Sequence, residues 1–398
     1  MTDRVYYTEP SCRRFDATVT RAFDHNGRPA VTLNRTAFYP TSGGQPFDTG
    51  LLGGTSVLET IDEGDEVVHV LAAPLTEGAR VTGEIDWGRR FDHMQQHTGQ
   101  HILSGAFEQL FDNATVGFHL GAEVSTIDLA RDAPAGEIER AVDESNRIVW
   151  EDRPVAIRFV SKAEAAALAL RKEPLREGSL RLIDISGYDL CACGGTHVDR
   201  TGSIGLIAVV GVERMRGGSR LAFVCGARAL RALRGYRDVV AGGVRALSVL
   251  PAELPAAIER LQEESKELRK QVKGLQEKLA EREGARLAAA APEINGVRVV
   301  VEALDGWDVG GLKALAAAAT SSARACVVLA TVTTPVSIVI ACSPAVPVDA
   351  NATLQQLLRR FSGRGGGKPG LAQGGGLEAP AQDVAAAAST LIESMLAG

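Results

Sequence analysis

Three of the chain's seven histidines fall in the stretch Asp92-His93-Met94-Gln95-Gln96-His97-Thr98-Gly99-Gln100-His101-Ile102-Leu103, at a spacing of four. On a helix, residues four apart lie one turn apart on one face. Two imidazoles so placed can hold one metal ion. All three cannot share it, because His93 and His101 would stand roughly 12 Å apart along the axis. The pair is 93/97 or 97/101, and the spacing alone does not choose. Without other ligands, a solvated helix face with scattered histidines would look the same. The chain does offer others, in Leu190-Cys191-Ala192-Cys193-Gly194-Gly195-Thr196-His197. Cys193 and His197 bracket a segment suited to a tight turn rather than a helix. A turn with a merely buried cysteine is the plainer alternative, but a thiolate and an imidazole here complete a His3Cys set of the tetrahedral zinc kind. One zinc per chain is expected.

With 398 residues, 45% of them hydrophobic, the chain has material for two or three packed domains. It has no unbroken apolar run of bilayer length, and Met1-Thr2-Asp3-Arg4 does not read as a signal peptide. Six scattered cysteines do not resemble a disulfide framework. A cytoplasmic protein without a membrane partner is expected. A net charge of −6 argues against a whole-surface nucleic-acid binder but leaves room for local basic patches. Arginines cluster at Arg89-Arg90, around Gly217-Gly218 (Arg214, Arg216, Arg220), and at Arg228, Arg231, Arg234 and Arg237. For any single arginine, ordinary solvated surface is the simpler reading.

The patterning divides the chain. Residues 1–88 carry short alternating segments separated by turn residues such as His25-Asn26-Gly27-Arg28-Pro29, and read as a small β-barrel domain. Inside it lies a Gly-rich loop, Phe38-Tyr39-Pro40-Thr41-Ser42-Gly43-Gly44-Gln45-Pro46-Phe47-Asp48-Thr49-Gly50, which suits close approach of a ligand to backbone or a plain hairpin turn. Residues 89–245 read as α+β: the histidine helix to about Phe111, a strand over 122–129, and a helix from Pro134 to Glu151 capped by Asp132. Strands over 203–210 and 221–225 surround the Cys193 turn. Residues 250–290 form a helical arm with a heptad: Ile258, Ser265, Val272 and Leu279 at a, and Leu254, Leu261, Leu268 and Leu275 at d. Four heptads fit an antiparallel hairpin or a coiled-coil dimer, and the sequence leaves both open. Residues 295–398 alternate apolar strands with helices, giving a small α/β domain. Within it the glycine-rich segment 363–376 reads as a flexible linker, although Arg364, Lys368 and its backbone N–H groups would also suit a phosphate backbone.

His97-Thr98-Gly99-Gln100-His101-Ile102-Leu103 resembles the H-S-x-x-H-L-L motif of alanyl-tRNA synthetase editing domains, and Cys193-Gly194-Gly195-Thr196-His197 matches their C-G-G-T-H. Phe38-Tyr39 with Ser42-Gly43-Gly44-Gln45 is similar to their F-Y-x-x-S-G-G-Q, and Lys368-Pro369 through Gly376 to the end of their C-terminal, DHHA1-like domain. The likeness runs in the same order through nearly the whole chain, and no aminoacylation domain is expected ahead of it. The chain thus resembles the long form of the free-standing alanyl-tRNA editing proteins.

That resemblance implies His97, His101, Cys193 and His197 as zinc ligands, with His93 an extra. It implies hydrolysis of the ester joining serine, and also glycine, to alanine tRNA. His119 stands where synthetase relatives carry Gln and would position water. Gln45 and Thr41 of the Gly-rich loop are the other catalytic candidates, with Thr41 or Ser42, and Thr98 or Thr196, set to bond a seryl hydroxyl. Arg214, Arg216, Arg220, Arg364 and Lys368 would contact RNA, and the arm or C-terminal domain would pair two copies. Four protein ligands describe a closed site, so the metal is expected to organise the pocket rather than carry a permanent hydroxide. A zinc peptidase is excluded, because Thr98 or Met94 stands where Glu must follow the first histidine. The alternative of another class is a tRNA-binding or dimerising protein with a structural zinc and no turnover.

Overall fold

The computed structural model describes residues 1–171 and 180–397. They form two compact units, Met1–Gly243 and Val244–Gly398. In the first, the strands Arg14–His25, Arg28–Leu33, Glu66–Leu71, Thr55–Glu63, Gly50–Leu52 and Arg80–Ile85 close into a barrel in that order. Alternation puts Phe15, Ala17 and Val19 inside, against Val31, Leu33, Phe38, Leu52, Val57 and Leu71. Asn26 and Gly27, both at positive φ, make the two-residue hairpin turn between the first two strands.

The expected boundary at 88/89 is not a seam. Helix Trp87–Phe111 starts immediately, capped by Asp86, whose side chain accepts from the Arg89 N–H at 3.2 Å. One turn in, the fully buried Arg90 pairs with the equally buried Asp48 of the Gly-rich loop and donates to the Pro10 carbonyl at 2.8 Å. A lone buried charge costs several kcal/mol or more, so this pair ties helix and barrel into one body. From His93 to Phe107 every residue of the helix is buried, polar or not. Such a helix is a core element. Its amides are satisfied from neighbouring segments: Gln96 accepts from the Cys225 N–H (2.8 Å) and donates to the Cys225 carbonyl (3.1 Å).

Around the helix lie two antiparallel sheets, one of Val155–Val160, Leu180–Ile185 and Asp189–Ala192, the other ordered Ile207–Met215, Gly218–Cys225, Ser125–Leu129, Thr115–Leu120. Details differ from expectation. Helix Ala135–Trp150 begins at Pro134 with no side-chain cap, so Asp132 plays no part. The strand expected over 203–210 starts at Ile207, after a short 3-10 turn over Thr201–Ile204. Helix Gly226–Leu247 was not foreseen.

The second unit starts with helix Leu254–Ala290, whose C-terminal turns bury Ala280, Gly284, Leu287 and Ala288. Six of its eight heptad positions stay exposed, among them Leu261, Leu268, Val272 and Leu275, while Leu254 and Ser265 are half-buried. A six-stranded sheet follows, ordered Glu293–Ile294, Val297–Leu304, Ala325–Thr331, Val336–Cys342, Leu371–Leu377, Arg364–Lys368. Helix Val309–Ser322 and the end of the long helix cover one face, and helices Ala350–Phe361 and Ala381–Ala397 the other. The glycine-rich segment is therefore not a linker. Its backbone pairs as the last two strands, in register from Arg364↔Gly375 to Lys368↔Leu371. Among the described residues no single helix is long and apolar enough to cross a membrane.

Candidate metal centre

His97 and His101 leave successive turns of the buried helix, and Cys193 and His197 come from the turn after strand Asp189–Ala192. One ligand atom from each lies within 4.8 Å of all the others. The Cys193 Sγ is 3.4 Å from both the His97 Nε2 and the His197 Nε2. The pair on the helix is thus 97/101. His93 is buried one turn back beside Arg89, Asp92 and Arg228, outside the cluster. Burial holds it neutral, lowering its pKa to about 4, and among the described residues its Nδ1 has no hydrogen-bond partner.

Hydrogen bonds fix the ring tautomers. His97 Nδ1 is 2.9 Å from the Gln45 Oε1, and His101 Nδ1 is 3.0 Å from the Asp189 Oδ2. Both oxygens only accept, so both Nδ1 atoms carry the proton. The Thr98 hydroxyl donates to the Met94 carbonyl at 2.8 Å, so its oxygen accepts from the His197 Nδ1 at 3.2 Å. With its Nδ1 so engaged, each ring turns its Nε2 toward the thiol, and a bound metal would displace any Nε2 proton. Arg171 braces Asp189 through its Nε at 2.6 Å. Burial by itself raises the Cys193 thiol, but the flanking His97 and His197 imidazoles and bonds from His101 and His197 hold it well below its ordinary value. Burial lowers His101 too, yet Asp189 and Cys193 carry it up to about 8. Burial takes His197 down to about 3.

Backbone and glycine complete the site. Arg181 grips the cysteine turn, its Nη1 donating to the carbonyls of Cys193 (2.6 Å) and Gly195 (3.0 Å). A Cβ on Gly195 would fall 2.1 Å from the His97 Cε1, and one on Gly99 2.3 Å from the Cys225 Sγ. Both glycines are required by close approach, not by φ.

Of the other residues singled out, Gln45 reaches the cluster as the partner of His97. Its Oε1 also accepts from the Thr196 N–H (3.1 Å), and its Nε2 donates to the Thr196 Oγ1 (2.8 Å). It is fully buried, with its amide shared between His97 and Thr196. Thr98 has its hydroxyl committed on all sides, since it also accepts from the Val198 N–H at 3.2 Å. Thr41 is exposed, its Oγ1 accepting from the Phe47 N–H at 3.2 Å, and among the described residues its hydroxyl proton is not engaged. Ser42 pairs with Gln45 across the loop through their backbones.

The expectation for His119 needs correction. It is exposed and lies opposite Thr126 in the sheet, while its neighbour Phe118 packs on the His97 ring at 5.3 Å between centroids. The pleat sends successive side chains to opposite faces, so Phe118 takes the inward place and His119 the outward one. Arg220 shares that outer face, paired with Asp128 (2.7 Å), and Arg214 and Arg216 stand exposed at the hairpin end. Arg364 and Lys368 are exposed in the edge strand Arg364–Lys368 of the C-terminal sheet. Sequence reading missed Asp189, Arg171 and Arg181. Asp189 alone carried a signal, sitting on alternate positions with Cys191 and Cys193.

Comparison with known proteins agrees with this architecture. The family model for the "Threonyl and Alanyl tRNA synthetase second additional domain" matches residues 180–221, and that for the "DHHA1 domain" matches residues 296–397. The chain is 30% identical over 387 residues to the alanyl-tRNA editing protein AlaX-L of Pyrococcus horikoshii, covering 94% of each. It is 35% identical over 393 residues to the alanine–tRNA ligase of Methanoculleus marisnigri and 32% identical over 391 to that of Pyrococcus abyssi. It covers 95% and 94% of its own length in those two, but spans only 42% of each ligase.

Proposed function

The chain belongs to the family of alanyl-tRNA editing proteins, and from that premise we propose that it hydrolyses the ester of mischarged alanine tRNA, releasing serine and, second, glycine. The observation that carries the reading is the convergence of three Nε2 atoms on one thiol, each ring oriented through its Nδ1 by a separate acceptor. His97, His101, Cys193 and His197 would hold zinc, a donor set that this ion favours. Zinc bound there would organise the pocket around the ester, and would add Lewis-acid polarisation of the ester or of water only with a coordination position open.

The chain's own residues do the rest. Gln45, Asp189 and Thr98 hold the three imidazoles in place, and Arg181 fixes the cysteine turn. Seryl recognition falls to a hydroxyl whose proton is not engaged among the described residues: Thr41 in the loop, or Thr196, whose oxygen accepts from Gln45. A pocket that merely fits alanine excludes serine poorly, whereas one that pairs the hydroxyl leaves polar groups unsatisfied with alanine. Arg214, Arg216, Arg220, Arg364 and Lys368 would neutralise tRNA phosphates.

A second copy of the chain is the partner we assign to the arm. Six of its eight a and d positions are exposed, and β-branched Ile258 and Val272 at a with Leu at d favour two parallel strands. In such a pairing the heptad would set Glu264 at g against an arginine at e, the place Arg269 holds in the sequence.

Release of amino acid from alanine tRNA charged with serine, against the same tRNA charged with alanine, tests the reading. Serine should leave quickly and alanine much more slowly, and Thr41→Val should narrow the gap if Thr41 is the discriminator. The closed four-ligand set favours one rival, a tRNA-binding protein with a structural zinc. Such a protein would protect the seryl ester.

A further inference from the structure

The C-terminal unit holds a pair of sulfurs that the editing reading does not use. Cys326 and Cys342 lie directly opposite each other on the antiparallel strands Ala325–Thr331 and Val336–Cys342. The Cys342 N–H is turned away from Cys326, donating to the Gly370 carbonyl at 3.0 Å, while the next residue, Ser343, donates to the Ala325 carbonyl at 2.9 Å. The two cysteines are therefore a non-hydrogen-bonded pair, the kind whose side chains stand closest. Their Sγ atoms are 3.1 Å apart. A disulfide needs about 2.05 Å between sulfurs and short Cβ separations. Small side-chain rotations supply that where facing residues already share a register. Cys326 is 0% exposed and Cys342 7%, both within the apolar cluster of Val328, Ile340 and Leu354. Neither belongs to the metal-ligating group found among the described residues.

We propose that Cys326 and Cys342 are a modification site, closing to a reversible cross-strand disulfide under a two-electron oxidant of the peroxide class. Cys342, the less buried of the two residues, attacks a peroxide oxygen through its sulfur and breaks the O–O bond. This gives a sulfenic acid, and the leaving oxygen takes up the thiol proton as water. The Cys326 sulfur then displaces the sulfenic hydroxyl, which leaves with the second thiol proton as another water. Two thiols and one hydrogen peroxide become one disulfide and two waters, and a dithiol reverses the bond by exchange. The hydrogen bond to Cys342, and then burial, hold the Cys326 thiol well above its ordinary range. The second step, in which the Cys326 sulfur attacks, is accordingly slow. Once closed, the bond staples two central strands around a fifteen-residue connection and constrains the unfolded chain.

No Lys or Arg separates the two cysteines, so trypsin releases both in peptide 325–359. The full-length protein is treated with hydrogen peroxide, alkylated under denaturing conditions and digested. The expected peptide is two hydrogens lighter, free of alkylation, and restored by dithiothreitol. The oxidised protein should melt about 5 °C higher than the reduced one, a gain absent from Cys326→Ala and Cys342→Ala. The proposal is overturned if peptide 325–359 alkylates at both cysteines after the partly exposed Cys12 has been oxidised. Sulfinic acid at Cys342 with no bridge overturns it equally. Because the peptide readout uses the wild-type chain, neither outcome depends on the variants folding.

Discussion

Replacing Gln45 with Met keeps most of the side-chain volume and removes the amide that locks His97. In the structure the Gln45 Oε1 accepts from His97 Nδ1 (2.9 Å) and from the Thr196 N–H (3.1 Å), all within a fully buried site. A thioether is at best a weak acceptor, so two buried donors lose their partner. Each orphaned donor costs about 1–3 kcal/mol, giving roughly 2–6 kcal/mol in total. Part of this falls on the fold and part on metal affinity, because the Nδ1 bond is what presents Nε2. Loss of such an outer partner lowers metal affinity about 10–100-fold. Competition against a chromophoric chelator reads the affinity, and urea unfolding with and without zinc reads the stability. Gln45→Glu keeps an acceptor for His97 and should retain most of the affinity. Zinc affinity within twofold of wild type in Gln45→Met, together with a stability loss under about 1 kcal/mol, would refute the reasoning.

His101→Ala should abolish stoichiometric zinc and His93→Ala should not, as metal analysis will show. His119→Ala should leave serine release within about twofold of wild type, since the side chain faces outward on its sheet. Burial lowers His69 from 6.5 to about 4. The unfolded chain therefore takes up a proton that the native barrel refuses, and this part of the stability is fully present above about pH 6.5. It is lost as pH falls towards 4, at about 1.4 kcal/mol per unit. Urea midpoints across that window should fall more steeply for wild type than for His69→Gln. Deleting residues 250–398 should weaken binding to alanine tRNA and flatten its salt dependence. Filter binding at several salt concentrations would assign that segment to oligomerisation alone if neither changes.

The histidine helix, the cysteine turn and the apolar strands of the C-terminal unit were legible because period and ligand chemistry are local signals. The choice of 97/101 over 93/97 was not legible from spacing. It depends on where the turn at Cys193 returns to the helix. His119 was misplaced because position along the chain does not say which side of the pleat a residue takes, and here Phe118 takes the inner one. The glycine-rich segment 363–376 lacks the side-chain pattern that marks strands, and its backbone pairs at the sheet's edge nonetheless. Helix Gly226–Leu247 was not legible because its closely spaced arginines read as a basic patch. Leu230, Leu233 and Val240 mark an apolar stripe that remains exposed.

Serine release tests most directly whether the His97, His101, Cys193 and His197 cluster serves as a zinc-dependent editing site, as proposed. Alanine tRNA charged with serine is incubated with the zinc-loaded protein, with protein stripped by a chelator, and with stripped protein resupplied with zinc. Rapid release, loss of release and recovery are expected, in that order. A seryl ester that stays intact in the presence of the zinc-loaded protein would contradict the claim.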